Sequence, residues 1–147
     1  MDFRRLPIAA LLLILPLLGI AQPAQAPVQP RFPQAQISME QWQSYLDEVK
    51  AIPGVACAEA ASHQFKCNSA AQQTMWVFTL KGHPAHPAVS RGVMVMRPAT
   101  QANQAATVGI DRSGYFAGKE DAFRSWMREF DALDQQQIAA WQEQLTK

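Results

Sequence analysis

The sequence predicts a small α+β domain: one N-terminal helix, an antiparallel sheet of four to five strands in a meander, and two C-terminal helices packed on one sheet face. Three observations predict it. Apolar residues recur at helical spacing over residues 39–49 and again over 123–145. Between these stretches, from Val55 to Asp111, the period falls to two. The connections inside that middle region are short, which favours antiparallel pairing of sequential strands.

Each element has its own signal. Ser38 followed three residues later by Gln41 is a capping box, and Ile37 with Trp42 supplies the apolar staple beside it. Met39, Trp42, Leu46 and Val49 form one apolar stripe, and Pro53-Gly54 closes the helix because proline disfavours helical geometry in the residue before it. Val55, Cys57 and Glu59 alternate with alanines, Ser62-His63 interrupts, and Phe65 and Cys67 resume, which reads as a hairpin tied by its cysteines. In TMWVFTLK, Trp76, Phe78 and Leu80 face one way and Met75, Val77 and Thr79 the other. VSRGVMVMR, residues 89–97, is apolar on both faces from Val93 to Met96, as a strand covered on part of both sides would be. Thr107 to Asp111 gives a further short strand after a polar turn near Gln101 to Gln104. A helix starting near Gly118 is marked by Phe123, Trp126, Met127 and Phe130. Asp131 to Asp134 reads as a short link, and Asp134 with Gln137 caps a last helix carrying Ile138, Trp141 and Leu145.

The first 26 residues carry an address rather than a fold. Arg4 and Arg5 precede an apolar run from Leu6 to Ala21, and Ala24-Gln25-Ala26 places small residues where a signal peptidase reads them. A membrane-spanning helix needs about 20 predominantly apolar residues. This run is shorter and is broken by Pro16, so residues 1–26 are expected to be cleaved off, leaving no stable membrane anchor. Residues 27–37, rich in proline and glutamine, are expected to form an extended leader, and 38–147 a single domain. The expected location is periplasmic or secreted.

Cleavage would remove two of 13 basic and one of 12 acidic side chains, leaving 121 residues with 11 of each. A neutral chain without a lysine or arginine cluster argues against nucleic acid as a partner and against electrostatic docking on an anionic membrane. Cys57 and Cys67 are too far apart for a thioredoxin-type pair. In an exported chain they predict a structural disulfide, contributing about 3 kcal/mol on the chain-entropy model.

The segment Lys81-Gly82-His83-Pro84-Ala85-His86-Pro87 is the most distinctive candidate site. Two histidines three apart, each followed by proline, suit a rigid strand-to-strand turn. As chemistry, Gly82, His83, Pro84, His86 and Pro87 form a candidate binding surface for an envelope protein or peptide. His83 and His86 form a metal half-site for copper or zinc, with Met94 or Met96 as soft ligands for Cu(I). Against metal, a zinc site normally needs three or four protein ligands. Here His63 is placed on a distant hairpin tip and no carboxylate adjoins the pair.

Other groups read as structure. Ser62-His63 are adjacent, the wrong relation for a nucleophile and its base. Glu59 reads as an exposed edge residue, Asp111-Arg112-Ser113-Gly114 as a strand ending in a turn, and Glu120 and Asp121 as complements to a helix dipole. Trp42, Trp76, Trp126 and Trp141 all fall on apolar stripes. No residue is assigned as catalytic or cofactor-binding.

FTLKGHPAHPAV, Phe78 to Val89, resembles a stretch of small, uncharacterised exported bacterial proteins that share the order signal, strand, histidine-proline turn, strand, terminal helix. The resemblance covers about the central 20 residues closely. It implies export and names no activity. The function expected is therefore a small exported, non-catalytic domain that binds an envelope protein or peptide. The alternatives are copper or zinc binding at His83 and His86, or a small envelope hydrolase.

Overall fold

A computed structural model describes residues 29–101 and 104–145; the predicted signal segment, 1–26, lies outside the described residues. The chain runs α1 (Met39–Lys50), β1 (Ala56–Ala60), β2 (Gln64–Ser69), β3 (Thr74–Thr79), β4 (Ala88–Arg97), β5 (Thr107–Phe116) and α2 (Glu120–Leu145). The five strands form one sheet in the order β1-β2-β3-β4-β5, every pair antiparallel, which is the expected meander. Among the described residues no helix is long and apolar enough to cross a membrane.

The capping box at α1 is formed: Gln41 N–H donates to Ser38 Oγ at 3.1 Å, and Ser38 N–H donates to Gln41 Oε1 at 2.8 Å. Its buried stripe is Trp42, Tyr45, Leu46 and Val49; Met39, in the first turn, stays exposed. Tyr45 joins the core because its hydroxyl accepts from Trp76 Nε1 at 2.9 Å, and Trp42 Nε1 donates to Ala88 O at 3.0 Å. Both indoles are buried with their one donor satisfied.

The helices do not share a sheet face. α1 packs with Cys67, Trp76, Phe78, Val89 and Tyr115, whereas Phe123, Trp126 and Phe130 of α2 pack with Val77, Ala88 and Phe116 on the other side. The expectation of helices on one face is corrected to a three-layer arrangement. The cause is the double-sided apolar character of β3 and β4, which demands cover on both faces.

The two expected C-terminal helices are one helix of 26 residues. Nothing between Glu120 and Leu145 is glycine or proline, so no residue there stops it. Asp134 is not a cap: its carboxylate accepts from Arg112 Nε and Nη2, both at 2.5 Å. That pairing also explains why β5 runs on through Asp111-Arg112-Ser113-Gly114 instead of turning. Arg112 lies beneath α2 with Nη1 donating to Ser90 Oγ at 2.8 Å and its guanidinium 4.3 Å from the Phe130 ring centroid. Gly114 lets the helix approach, since a Cβ there would sit 2.7 Å from Met127 Sδ. At the far end Gln142 brackets β5, accepting from Val108 N–H and donating to Ala106 O, each at 3.1 Å.

Cys57 and Cys67 are cross-strand partners in β1 and β2 and form the predicted disulfide. Glu59 is exposed on the edge strand, as expected. The segment predicted as an extended leader instead bends through residues 31–35 and is docked from residue 29 onwards. Ile37 is in the core, Gln36 bridges Phe116 in parallel, and Phe32 packs against Tyr45 and Tyr115.

Candidate functional site

The histidine-proline turn joins β3 to β4 as two successive tight turns. His83 N–H donates to Leu80 O and His86 N–H to His83 O, both at 3.0 Å. Gly82 takes φ +104°, which a residue with a Cβ rarely adopts. Thr79, fully buried at the end of β3, locks the base of the loop: its hydroxyl accepts from Ala88 N–H at 2.8 Å and donates to Ala88 O at 3.1 Å.

The two rings are held in opposite layers. His86 packs edge-on to Trp42 of α1, centroids 5.2 Å apart, and its Nδ1 donates to Thr79 O at 2.8 Å. His83 packs edge-on to Trp126 of α2 at 5.5 Å, and its Nδ1 accepts from Ala85 N–H at 3.1 Å. An Nδ1 that accepts an amide proton places the proton of neutral His83 on Nε2. Each ring thus spends its Nδ1 on a main-chain partner. Met94 and Met96 lie elsewhere: Met94 is six residues along β4 from Ala88, about 20 Å at 3.3 Å per residue. Met94 lines a separate recess with Met75, Ile110 and Trp141, and Met96 is 41 % exposed. Among the described residues no group of three or more histidine, cysteine, aspartate or glutamate side chains is placed to hold a metal ion.

What the fold does gather is a cleft of about 510 Å³ between the turn, the β1–β2 hairpin tip and the first half of α2. Gly82, His83 and Pro84 line it from the turn; Ser62 and His63 from the hairpin; Ser125, Trp126 and Glu129 from the helix. His86 and Pro87 do not line it; Pro87 is buried. Of the expected binding surface, then, three of five residues face one cavity.

His63 is not distant. The hairpin tip folds onto the turn, with Leu80 N–H donating to His63 O at 2.7 Å. Its ring covers Gly82, where a Cβ would meet it at 3.1 Å. Ser62 and His63 reach this position with φ of 61° and 55°, a left-handed conformation that costs a non-glycine residue about 1–2 kcal/mol. A carboxylate also adjoins the turn after all. Burial lowers the His83 pKa below its ordinary 6.5, opposed by the charge of Glu129 and reinforced by those of His63 and His86.

Trp126 is the unexpected member. It is 2 % exposed, and its Nε1 is the one buried side-chain nitrogen or oxygen among the described residues without a hydrogen-bond partner. Leaving a buried donor unpaired costs about 1–3 kcal/mol. The sequence places Trp126 on the apolar stripe, and Glu129 follows it three residues later on the same helix side; only the missing acceptor distinguishes it from a core indole. Comparison of the chain with protein-family models, with curated proteins and with solved structures finds no match.

Proposed function

We propose that this chain is an extracytoplasmic, non-catalytic binding domain. In this reading it recognises an extended segment of an envelope protein or peptide in the cleft between the His83 turn and α2. The carrying observation is the cleft itself, where His83, Pro84, Trp126 and Glu129 converge beside the hairpin tip and the Trp126 indole N–H is left without a partner. Trp126 Nε1 is itself buried, so a main-chain carbonyl of a bound peptide pairs with it only as the indole edge turns toward the cleft, which relieves a standing desolvation cost on binding. His83 Nε2–H adds a second donor, Glu129 an acceptor, and Pro84 an apolar edge. The address is supported by the tripartite N-terminal segment, residues 1–26, and by a disulfide of the kind that persists in oxidising compartments.

The test is a titration of nitrogen-labelled mature chain with a pool of extended hexapeptides, following the Trp126 indole resonance. The expected result is a saturable shift of that resonance and of the Gly82 backbone amide; in Trp126→Phe, which keeps an aromatic ring and removes the donor, the Gly82 shift should need more peptide to saturate. A folded protein whose Trp126 resonance ignores the peptides overturns the reading. Copper or zinc is added in a parallel arm; a raised melting temperature with perturbed His83 and His86 resonances would favour metal binding instead. The address is checked by the mass of chain recovered from the envelope, which should begin at Pro27 with both cysteines oxidised.

A further inference from the structure

A second groove, on the α1 side of the sheet, already holds a peptide: residues 29–33 of this chain. The main-chain ladder of the N-terminal segment begins only at Ala35, whose carbonyl accepts from Phe116 N–H at 2.9 Å. Upstream of it, Gln29-Pro30-Arg31-Phe32-Pro33 is held by side chains of the domain. Tyr115 Oη accepts from Arg31 N–H at 2.7 Å, and Arg91 Nη1 donates to Gln29 O at 3.2 Å. The Phe32 ring stands edge-on to Tyr115 at 5.0 Å and to Tyr45 at 5.8 Å. Arg31 Nη2 donates to both carboxylate oxygens of Glu48, at 2.8 and 2.6 Å.

Two features separate this arrangement from ordinary packing. The walls are built without the segment: Tyr45 is fixed by Trp76 Nε1 and lies edge-on to Phe78 at 5.7 Å and Tyr115 at 6.3 Å. Tyr45, at the groove's centre, is thus positioned by core contacts and not by the segment. The anchoring is also shallow. Arg31 and Glu48 side chains are 44 % and 49 % exposed, and solvent-exposed pairs of this kind contribute little. A space of about 460 Å³ remains beside the segment, walled by Glu48, Trp76 and Arg91.

We propose that this groove is a binding site for a segment of a partner polypeptide in which an arginine and an aromatic residue are flanked by prolines, with residues 29–33 as its resident competitor. Each element has its chemistry. Glu48 selects the arginine, and the Tyr45 and Tyr115 rings receive the aromatic edge. Tyr115 Oη and Arg91 read one main-chain N–H and one C=O, and the prolines restrict the ligand's backbone before it binds. The tether gives the resident segment a high effective concentration, so a partner meets only the open fraction of the groove. This inference uses a different face from the His83 cleft and stands or falls independently of it.

The experiment uses the mature full-length chain and the blocked synthetic peptide Gln-Pro-Arg-Phe-Pro-Gln, copied from residues 29–34. In the Arg31→Ala/Phe32→Ala variant the groove loses its occupant. That variant is expected to bind the labelled peptide at least about tenfold more tightly than wild type. Adding Glu48→Gln, or replacing the peptide's arginine by alanine, should weaken binding by about two- to fivefold, the range of a solvent-exposed pair. The proposal is overturned if the folded variant binds no better than wild type, or if Glu48→Gln leaves binding intact. Should the double variant lose its native circular dichroism, Phe32→Ala alone, which withdraws the ring from Tyr45 and Tyr115, makes the same comparison. Peptide-driven dissociation of a wild-type dimer would assign the groove to a second copy of this chain, and would likewise overturn occupancy in cis.

Discussion

Asp134→Asn is the substitution that most directly tests how α2 is held on the sheet. The Arg112 and Asp134 side chains are 9 % and 13 % exposed, so the ion pair is close to buried. Asparagine keeps the volume and one acceptor but removes the counter-charge. The guanidinium then remains under α2 between Ser90 Oγ and the Phe130 ring, with only neutral partners. Breaking one side of a buried pair costs about 3–5 kcal/mol, and the residual exposure argues for the lower end. Against a total stability of about 5–15 kcal/mol, this is a large fraction. Urea unfolding followed by tryptophan fluorescence should show the midpoint fall while the slope stays constant. Replacing both partners, Arg112→Met with Asp134→Leu, should recover stability to within about 1 kcal/mol of wild type, because no buried charge is left behind. A loss below about 1 kcal/mol in Asp134→Asn is the behaviour of an exposed pair and would refute the reasoning.

Three further outcomes follow from the site and its supports. Because the His83 pKa is lowered in the folded state, the unfolded chain binds the extra proton first. Folding stability should be fully present above pH 6.5 and fall as the pH drops below it; the fall should be shallower in His83→Asn when melting temperature is measured from pH 7.5 to 5. Gly82→Ala must place a Cβ 3.1 Å from the His63 ring while holding φ at +104°. It should lower stability by about 1–2 kcal/mol in urea melts and shift the His63 ring resonances, whereas unchanged resonances would mean that the hairpin tip does not rest on the turn. Removing the disulfide with Cys57→Ala and Cys67→Ala should cost about 3 kcal/mol in the same assay. It should leave the Trp126 resonance in place, since the bridge lies on the opposite face.

How much of this was legible depended on whether a signal is local. The α1 cap, the cysteine hairpin, the meander and the turn at residues 81–87 are each written in neighbouring residues, and each is present. The errors share a cause in long-range partners. Asp134 has the form of a helix cap, but its use is decided by Arg112, 22 residues earlier in a strand. Residues 31–33 have the composition of a free leader, yet Tyr45 and Tyr115 give Phe32 a place to pack. His63 and His83 stand 20 apart in sequence and meet only because the β1–β2 tip folds over Gly82. Trp126 could not have been singled out, because an unsatisfied donor is a property of its surroundings rather than of its spacing.

The same geometry bears on the recognition proposed for the turn. A loop carrying two histidines between strands would ordinarily be mobile, and a ligand would have to bear the cost of ordering it. Here each ring is fixed in a different layer: His86 against Trp42 on the α1 side, His83 against Trp126 on the α2 side. Thr79 bonds the loop's base at both polar groups of Ala88, and Gly118 brings the start of α2 to within a Cβ's reach, 2.7 Å, of His86 O. The turn is thus clamped by both helical layers before any partner arrives. Its left-handed neighbours, Ser62 and His63, form the β1–β2 hairpin tip, where positive φ is usual turn geometry, as at Gln73 (φ 49°) in the β2–β3 turn. A turn fixed in both layers presents His83 and Pro84 to the cleft without further ordering, which is the property the proposed recognition requires.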